Sequence, residues 1–234
     1  MKKFLCLTLA LSFFAIAGIC NAQVVSGPSI ALPPAEVILN ACKEMGVEAV
    51  SGDYVISKMD DVINNKSGKV FFIDARPART YNDGFIPTAF NMYDAKFNLI
   101  YPELEKLKLP KDTEILIGIG RPCPMSLGDI KRLKAKGFTN LKAFVKGPVF
   151  FEKYFSEVTA KGAKKHVSNG AVVVNLTEDA DLYKFFAANI GKDKVLVLVG
   201  SADNAKTNYG MADKIYKAGN KSTAVFNGKI EDIN

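Results

Sequence analysis

Two unbroken apolar runs of strand length constrain this chain more than any other feature. Val70-Phe71-Phe72-Ile73 closes on Asp74, and Ile115-Leu116-Ile117 closes on Gly118. A strand with one wet face alternates apolar and polar residues, whereas an unbroken run is buried on both faces, as in a parallel sheet covered by helices. The intervals carry helical patterns. Residues 77–83 form a short helix, Gly84 a turn and Ala89–Met92 a short strand. Glu103–Leu109 is helical and stops at Pro110. Met125–Lys136 turns Leu127, Ile130 and Leu133 to the sheet, Gly137 caps it, and Ala143-Phe144-Val145 is the next strand. Upstream, Tyr54-Val55-Ile56 reads as a strand, Ser57 as an N-cap, and Lys58–Asn64 as a helix with Met59, Val62 and Ile63 inward. Ala35–Met45 has Val37, Ile38, Ala41 and Met45 on one face, with Cys42 beside it as a buried thiol. Strands alternating with helices give an α/β fold with a parallel sheet.

The series then recurs in shortened form. Val172-Val173-Val174-Asn175 parallels Phe71–Asp74, the strand ending at Gly200 parallels the one ending at Gly118, and Ala224–Gly228 parallels Ala143–Gly147. Gly210 answers Gly128 and Gly219 answers Gly137, with the same separation from Gly118 to Gly137 as from Gly200 to Gly219. This order reads as a degenerate repeat that has lost a segment between Asn175 and Gly200.

The chain opens on Lys2-Lys3, an apolar run from Phe4 to Ile19, and small residues at Ala22, the build of a cleavable signal peptide. The expectation is cleavage after Ala22 and a periplasmic or secreted protein without a stable membrane span; bulky Ile19 argues against lipid attachment at Cys20. The divisions expected are a signal peptide at 1–22, a leader and helix at 23–52, the main domain at 53–155, a linker at 156–169 and the degenerate repeat at 170–234. The net charge of +7 is spread over scattered lysines, which excludes a nucleic-acid stripe and leaves a weak bias toward small anions. Cys6 and Cys20 fall in the signal peptide, leaving Cys42 and Cys123. Pairing of the two as a disulfide is one reading in an oxidising compartment, though two are too few for a framework. With His166 the single histidine, there is no metal-ligand cluster, and no glycine fingerprint follows a strand, so neither a metal nor another cofactor is expected.

Val70–Asn91, reading VFFIDARPARTYNDGFIPTAFN, resembles the signature of the rhodanese-like domain family: a strand ending in Asp-x-Arg, a polar helix and a Gly-His-Ile-Pro-x-Ala turn, here with Phe85 in place of His. The resemblance covers about 100 residues and places the family's active loop within Gly118–Gly137. It implies a sulfurtransferase whose loop cysteine carries sulfur as a persulfide, with a small anionic sulfur compound or a protein thiol as partner. Such chemistry needs a thiolate where backbone N–H groups converge at a helix start.

The sequence departs from the family at that point. The family's nucleophile falls at Gly120, or at Gly118 in a longer loop, and neither is cysteine. Cys123, in Arg-Pro-Cys-Pro-Met-Ser, is the loop's own thiol and the candidate nucleophile. Gly120, Arg121, Met125 and Ser126 would form the anion-binding loop, with Ser126 also a candidate helix cap. Asp74 and Arg76 read as a supporting ion pair, Arg79 as a surface residue and His166 as an exposed linker residue. The second loop, from Gly200, has no cysteine and carries Asp203, which repels anions. Two readings stay open: a sulfur-handling protein acting through Cys123, or a noncatalytic rhodanese-like module binding an anion or a protein.

Overall fold

A computed structural model describes residues 33–64, 70–147, 150–176 and 194–233. The expected signal peptide, Cys6, Cys20, the expected leader up to residue 32 and the turn at Ser67-Gly68 lie outside these residues.

Helix α1 (Ala35–Glu44) leads into strand β1 (Glu48–Ser51) and helix α2 (Gly52–Asn64). Then follow β2 (Val70–Asp74), α3 (Ala78–Asn82), β3 (Phe90–Asn91), α4 (Phe97–Lys106), β4 (Glu114–Gly118), α5 (Pro124–Ala135) and β5 (Leu141–Lys146). The five strands form one parallel sheet in the order β1-β5-β4-β2-β3. After it come β6 (Ser156–Glu157), α6 (Ala160–Ser168), β7 (Val172–Asn175), β8 (Leu196–Gly200), α7 (Ala205–Lys217) and β9 (Thr223–Asn227). These strands make a second parallel sheet in the order β6-β9-β8-β7. With β6, β9, β8 and β7 standing for β1, β5, β4 and β2, it repeats the first order, and among the described residues no strand stands for the edge strand β3. The fold is α/β, with a parallel-sheet domain followed by a shorter copy of its topology.

The apolar runs bury both faces as their pattern requires. On β4, Ile115 and Ile117 join α1, α4 and α5 on the outer face, while Leu116 points to the other. On β8, Leu196 and Leu198 join that same inner core, and Val197 and Val199 meet the α6 side. The inner core is shared between the sheets: Val55 and Met59 of α2, Phe144, Phe150 and Phe155 pack with Val225 and with Tyr209, Ala212 and Ile215 of α7. Unlike faces therefore meet, the α2 side of the first sheet against the α7 side of the second.

Both long strand-following helices end alike. Gly137 (φ +88°) donates its N–H to Lys134 and Phe138 donates to Leu133, while Gly219 (φ +112°) donates to Tyr216 and Asn220 to Ile215. This paired bonding is the Schellman arrangement, which favours glycine at the left-handed position.

Four expectations change. Tyr54–Ile56 lies inside α2, and Ser57 donates to the Tyr54 carbonyl within that helix rather than capping it; the strand is Glu48–Ser51. Helix α1 buries Ile38 and Cys42 and leaves Val37 54% exposed, so its inward face is turned toward Cys42. Helix α4 starts at Phe97 and runs through Pro102, because Phe97, Tyr101 and Leu104 give it a buried face. Residues 156–169 are not a bare linker: they hold β6 and α6, with the Thr159 hydroxyl accepting from Gly162 N–H as the cap.

That segment is pressed onto the first sheet's α3 and turn. Phe85 and Glu157 exchange both backbone hydrogen bonds, at 2.8 and 2.9 Å. The Glu157 carboxylate also accepts from Thr88 N–H (2.8 Å), Tyr209 O–H (2.7 Å) and Asn227 Nδ2 (2.9 Å). A Cβ on Gly162 would lie 1.8 Å from the Asn82 carbonyl oxygen, so only glycine permits the approach. Gly162→Ala is expected to destabilise the protein by about 1–3 kcal/mol, because backbone must move to relieve the overlap. The denaturant midpoint checks it; an unchanged midpoint would show that α6 does not need this contact.

Candidate functional site

The candidate loop leaves the sheet at the carboxyl end of β4, the edge where parallel α/β sheets bind ligands. Its path is set by β5 beside it. Gly118 (φ +124°) and Gly120 (φ +102°) are both left-handed, and Gly120 N–H donates to the Phe144 carbonyl at 3.0 Å. A Cβ on Gly118 would meet that carbonyl oxygen at 2.5 Å, closer than any side chain tolerates. The two positions where the family places its nucleophile therefore have backbone conformations suited to glycine. The Ile119 carbonyl accepts from Phe150 N–H at 3.0 Å, tying the loop to the inter-sheet segment.

Arg121 follows, exposed and without a hydrogen bond or ion pair among the described residues. Cys123 is the N-cap of α5 in an extended conformation (φ −137°, ψ 120°), with Pro124 as the first helical residue. Proline suits that position because its missing N–H would have no helical partner. The thiol is free and 9% exposed, and it makes no side-chain capping bond. Cys42 is also a free, buried thiol, and burial pushes its pKa up. Met125 is half-buried. Ser126 is the third helical residue and 1% exposed, and its hydroxyl has no hydrogen-bond partner, so it does not cap the helix.

Asp74 and Arg76 form a tight pair at the end of β2. The fully buried Asp74 carboxylate accepts from Arg76 N–H (3.0 Å), Nε (2.9 Å) and Nη2 (2.6 Å), and Nη2 also donates to the Gly84 carbonyl at 2.6 Å. The Arg76 guanidinium lies over the Phe151 ring at 5.5 Å. The pair thus braces the turn that grips β6. Phe85, where the family has histidine, is buried in that turn and stacks on Tyr81 with ring centroids 4.0 Å apart. Arg79 is exposed. His166 is not an isolated surface residue: its Nε2 lies 3.0 Å from the Asp83 carbonyl, across the junction.

Sequence reasoning passed over Asp129. It is fully buried on α5, and neither carboxyl oxygen has a hydrogen-bond partner among the described residues. Burial, with Asp94 and Asp74 adding repulsion against the opposing pull of Arg132, raises its pKa to about 8. The signal was in the spacing, since Ser126, Asp129, Ile130 and Leu133 follow the i, i+3, i+4, i+7 stripe of a buried helix face.

The equivalent end of the second sheet differs in charge. Asn175, Ser201, Asp203, Lys229, Glu231 and Asp232 line an open cleft of about 720 Å³ beyond β7, β8 and β9. Three acids against one lysine disfavour an anion there. Among the described residues no group of histidines, cysteines and carboxylates could hold a metal, and no helix is long and apolar enough to cross a membrane.

Residues 58–147 match the family model described as the rhodanese-like domain. Residues 58–147 therefore resemble a rhodanese-like domain. Among solved structures, the chain is similar to the rhodanese-like domain of an Anabaena sp. protein (21% identity over 42% of this chain and 67% of that one, TM-score 0.32). It is also similar to a Bacillus halodurans protein (22%, 49% and 77%, TM-score 0.35) and to a thiosulfate sulfurtransferase from Pseudomonas aeruginosa (13%, 86% and 47%, TM-score 0.39). The match spans about half the length of the Pseudomonas enzyme. No curated protein matches the chain.

The unpartnered Asp129 has a pH signature. Its folded pKa lies above the ordinary carboxyl value, so its contribution is fully present below pH about 4 and is lost as pH rises through about 8, where the buried group is forced to ionise. Relative to Asp129→Asn, the wild-type protein should therefore lose stability across that window, by about 2–4 kcal/mol at its upper end. Urea denaturation of both proteins at several pH values checks this; parallel curves would contradict it.

Proposed function

We propose that this rhodanese-like protein accepts or transfers sulfane sulfur through a persulfide on Cys123. The observation that carries the reading is the placement of Cys123: a thiol at the N-cap of α5, at the carboxyl end of β4, in a domain of this family. Free N–H groups of the first helical turn and the positive end of the helix dipole favour an anion there. With thiosulfate as donor, the thiolate sulfur of Cys123 attacks the sulfane sulfur. The new S–S bond forms as the donor's own S–S bond breaks, and sulfite leaves with the electron pair. The persulfide then passes its outer sulfur to a second thiolate, and Cys123 returns as thiolate. Exposed Arg121 supplies positive charge for an anionic donor, and Gly120, Met125 and Ser126 complete the cradle.

The partners proposed are a small anionic sulfur compound or a protein thiol. The amino-terminal signal pattern supports action in the periplasm or outside the cell. The second sheet, with its acid-lined cleft and cysteine-free loop, is proposed as a noncatalytic partner to the first.

A second reading is favoured by a specific observation. Gly118 has no room for a side chain and Cys123 is 9% exposed, features of a module that keeps the fold and binds without turnover. Treating the protein with thiosulfate or polysulfide and measuring peptide masses separates the two. The first reading predicts one added, reducible sulfur on the Cys123 peptide and none in Cys123→Ser. An unmodified Cys123, present as a free thiol, would establish the binding module instead.

A further inference from the structure

Three side chains descend from the loop along α5. They are Cys123 at the cap, Ser126 three residues on and Asp129 three further, a spacing that puts each on the turn next to the last. They are 9%, 1% and 0% exposed. Among the described residues, Ser126 Oγ and both carboxyl oxygens of Asp129 have no hydrogen-bond partner. Buried polar groups left in this state cost stability and are uncommon in folded proteins. Ser126 Oγ lies under the loop's first residue, 3.2 Å from where a Cβ on Gly118 would stand.

The surroundings decide the charge of Asp129. Arg132 of α5 holds the Asp94 carboxylate, on the short turn before α4, close against Gly128, where a Cβ would displace it. Arg76 holds the Asp74 carboxylate at the end of β2. Asp94 and Asp74 oppose a further anion at Asp129, burial opposes it most, and Arg132 alone favours it. At neutral pH Asp129 therefore keeps its proton. With Ser126 it presents two O–H donors that no acceptor among the described residues takes up.

We propose that Ser126 and Asp129 form a buried floor of donors beneath the loop, and that Asp129 is a positioning residue for Cys123. While protonated it favours anionic sulfur at the helix cap; once ionised it opposes it. The use made of that sulfur anion rests on the sulfur-handling reading, but the coupling between the two groups does not. Six residues of helix separate them by about 9 Å along the axis. At that range, in a partly buried site, like charges shift an ionisation equilibrium by about tenfold.

The test is the rate of Cys123 alkylation by iodoacetamide from about pH 6 to 10, which follows the thiolate, read on the Cys123 peptide. Wild type should rise in two limbs, with an inflection near pH 8 where Asp129 ionises. D129N keeps a donor and cannot ionise. It should follow wild type at neutral pH, react up to about tenfold faster between the Asp129 inflection and full ionisation of the thiol, and converge with wild type above that. Superimposable profiles would overturn the proposal. Should D129N fail to fold, D94N serves: removing a like charge should move the wild-type inflection to lower pH, and an unmoved inflection would overturn it equally. A protein that shows the coupling yet takes up no sulfur refutes the sulfur reading alone. One that takes up sulfur with superimposable profiles refutes the role of Asp129 alone.

Discussion

The Phe144 carbonyl governs the loop. It accepts the Gly120 N–H and stands so close to Gly118 that both positions must be left-handed glycines, and the chain then has three residues in which to reach the start of α5. That short path puts Cys123 at the cap and Pro124 in the first turn. Because Phe144 belongs to β5, the loop inherits its position from parallel pairing in the middle of the first sheet, the most buried part of the domain. The same geometry that removes a side chain from the family's usual position thus fixes the thiol that remains.

The second sheet is held by parts that in a lone domain would be surface. The turn from Gly84 to Ala89 exchanges backbone bonds with β6, Gly162 lets α6 close on α3, and the Glu157 carboxylate gathers Thr88, Tyr209 and Asn227. Thr88 is held in a left-handed conformation (φ +68°) that a β-branched residue adopts at a cost, which its bond to Glu157 helps to offset. Phe85 follows from the same arrangement: an aromatic ring that fills the junction and stacks on Tyr81 replaces a polar group that would be buried there. Arg76 joins the two regions, binding Asp74 beside the loop and the Gly84 carbonyl at the junction.

Much of this was legible in the residues. Unbroken runs at Phe71–Asp74 and Ile115–Gly118 announce buried parallel strands, and the equal spacing of Gly137 and Gly219 marks two helices with the same termination. Other parts were not, for identifiable reasons. Tyr54-Val55-Ile56 is as apolar in a helix as in a strand, while β1 offers only Ala49 and Val50 as core residues. Pro102 reads as a break, yet Phe97, Tyr101 and Leu104 pack well enough to carry α4 through it. Helix α6 is rich in lysine and its inward stripe, Ala160, Ala163 and Val167, is made of small residues; Gly162 and Ala163 are small enough to dock. Asp129 was hidden by its type, since a carboxylate is normally read as solvated wherever its position on the helix falls. Whether Cys123 is reactive was never written in composition or spacing, for a capping thiol and a buried thiol share the same letters.

The central claim is that the fold around the start of α5 activates Cys123, and the most direct test compares that thiol with itself. The rate of its reaction with polysulfide at neutral pH would be measured on the Cys123 peptide in the folded protein and in the urea-denatured chain. A folded rate above the denatured one is expected, since backbone N–H groups at a helix start favour an anion. A folded rate below the denatured one would show a thiol that is merely buried, and would contradict that claim.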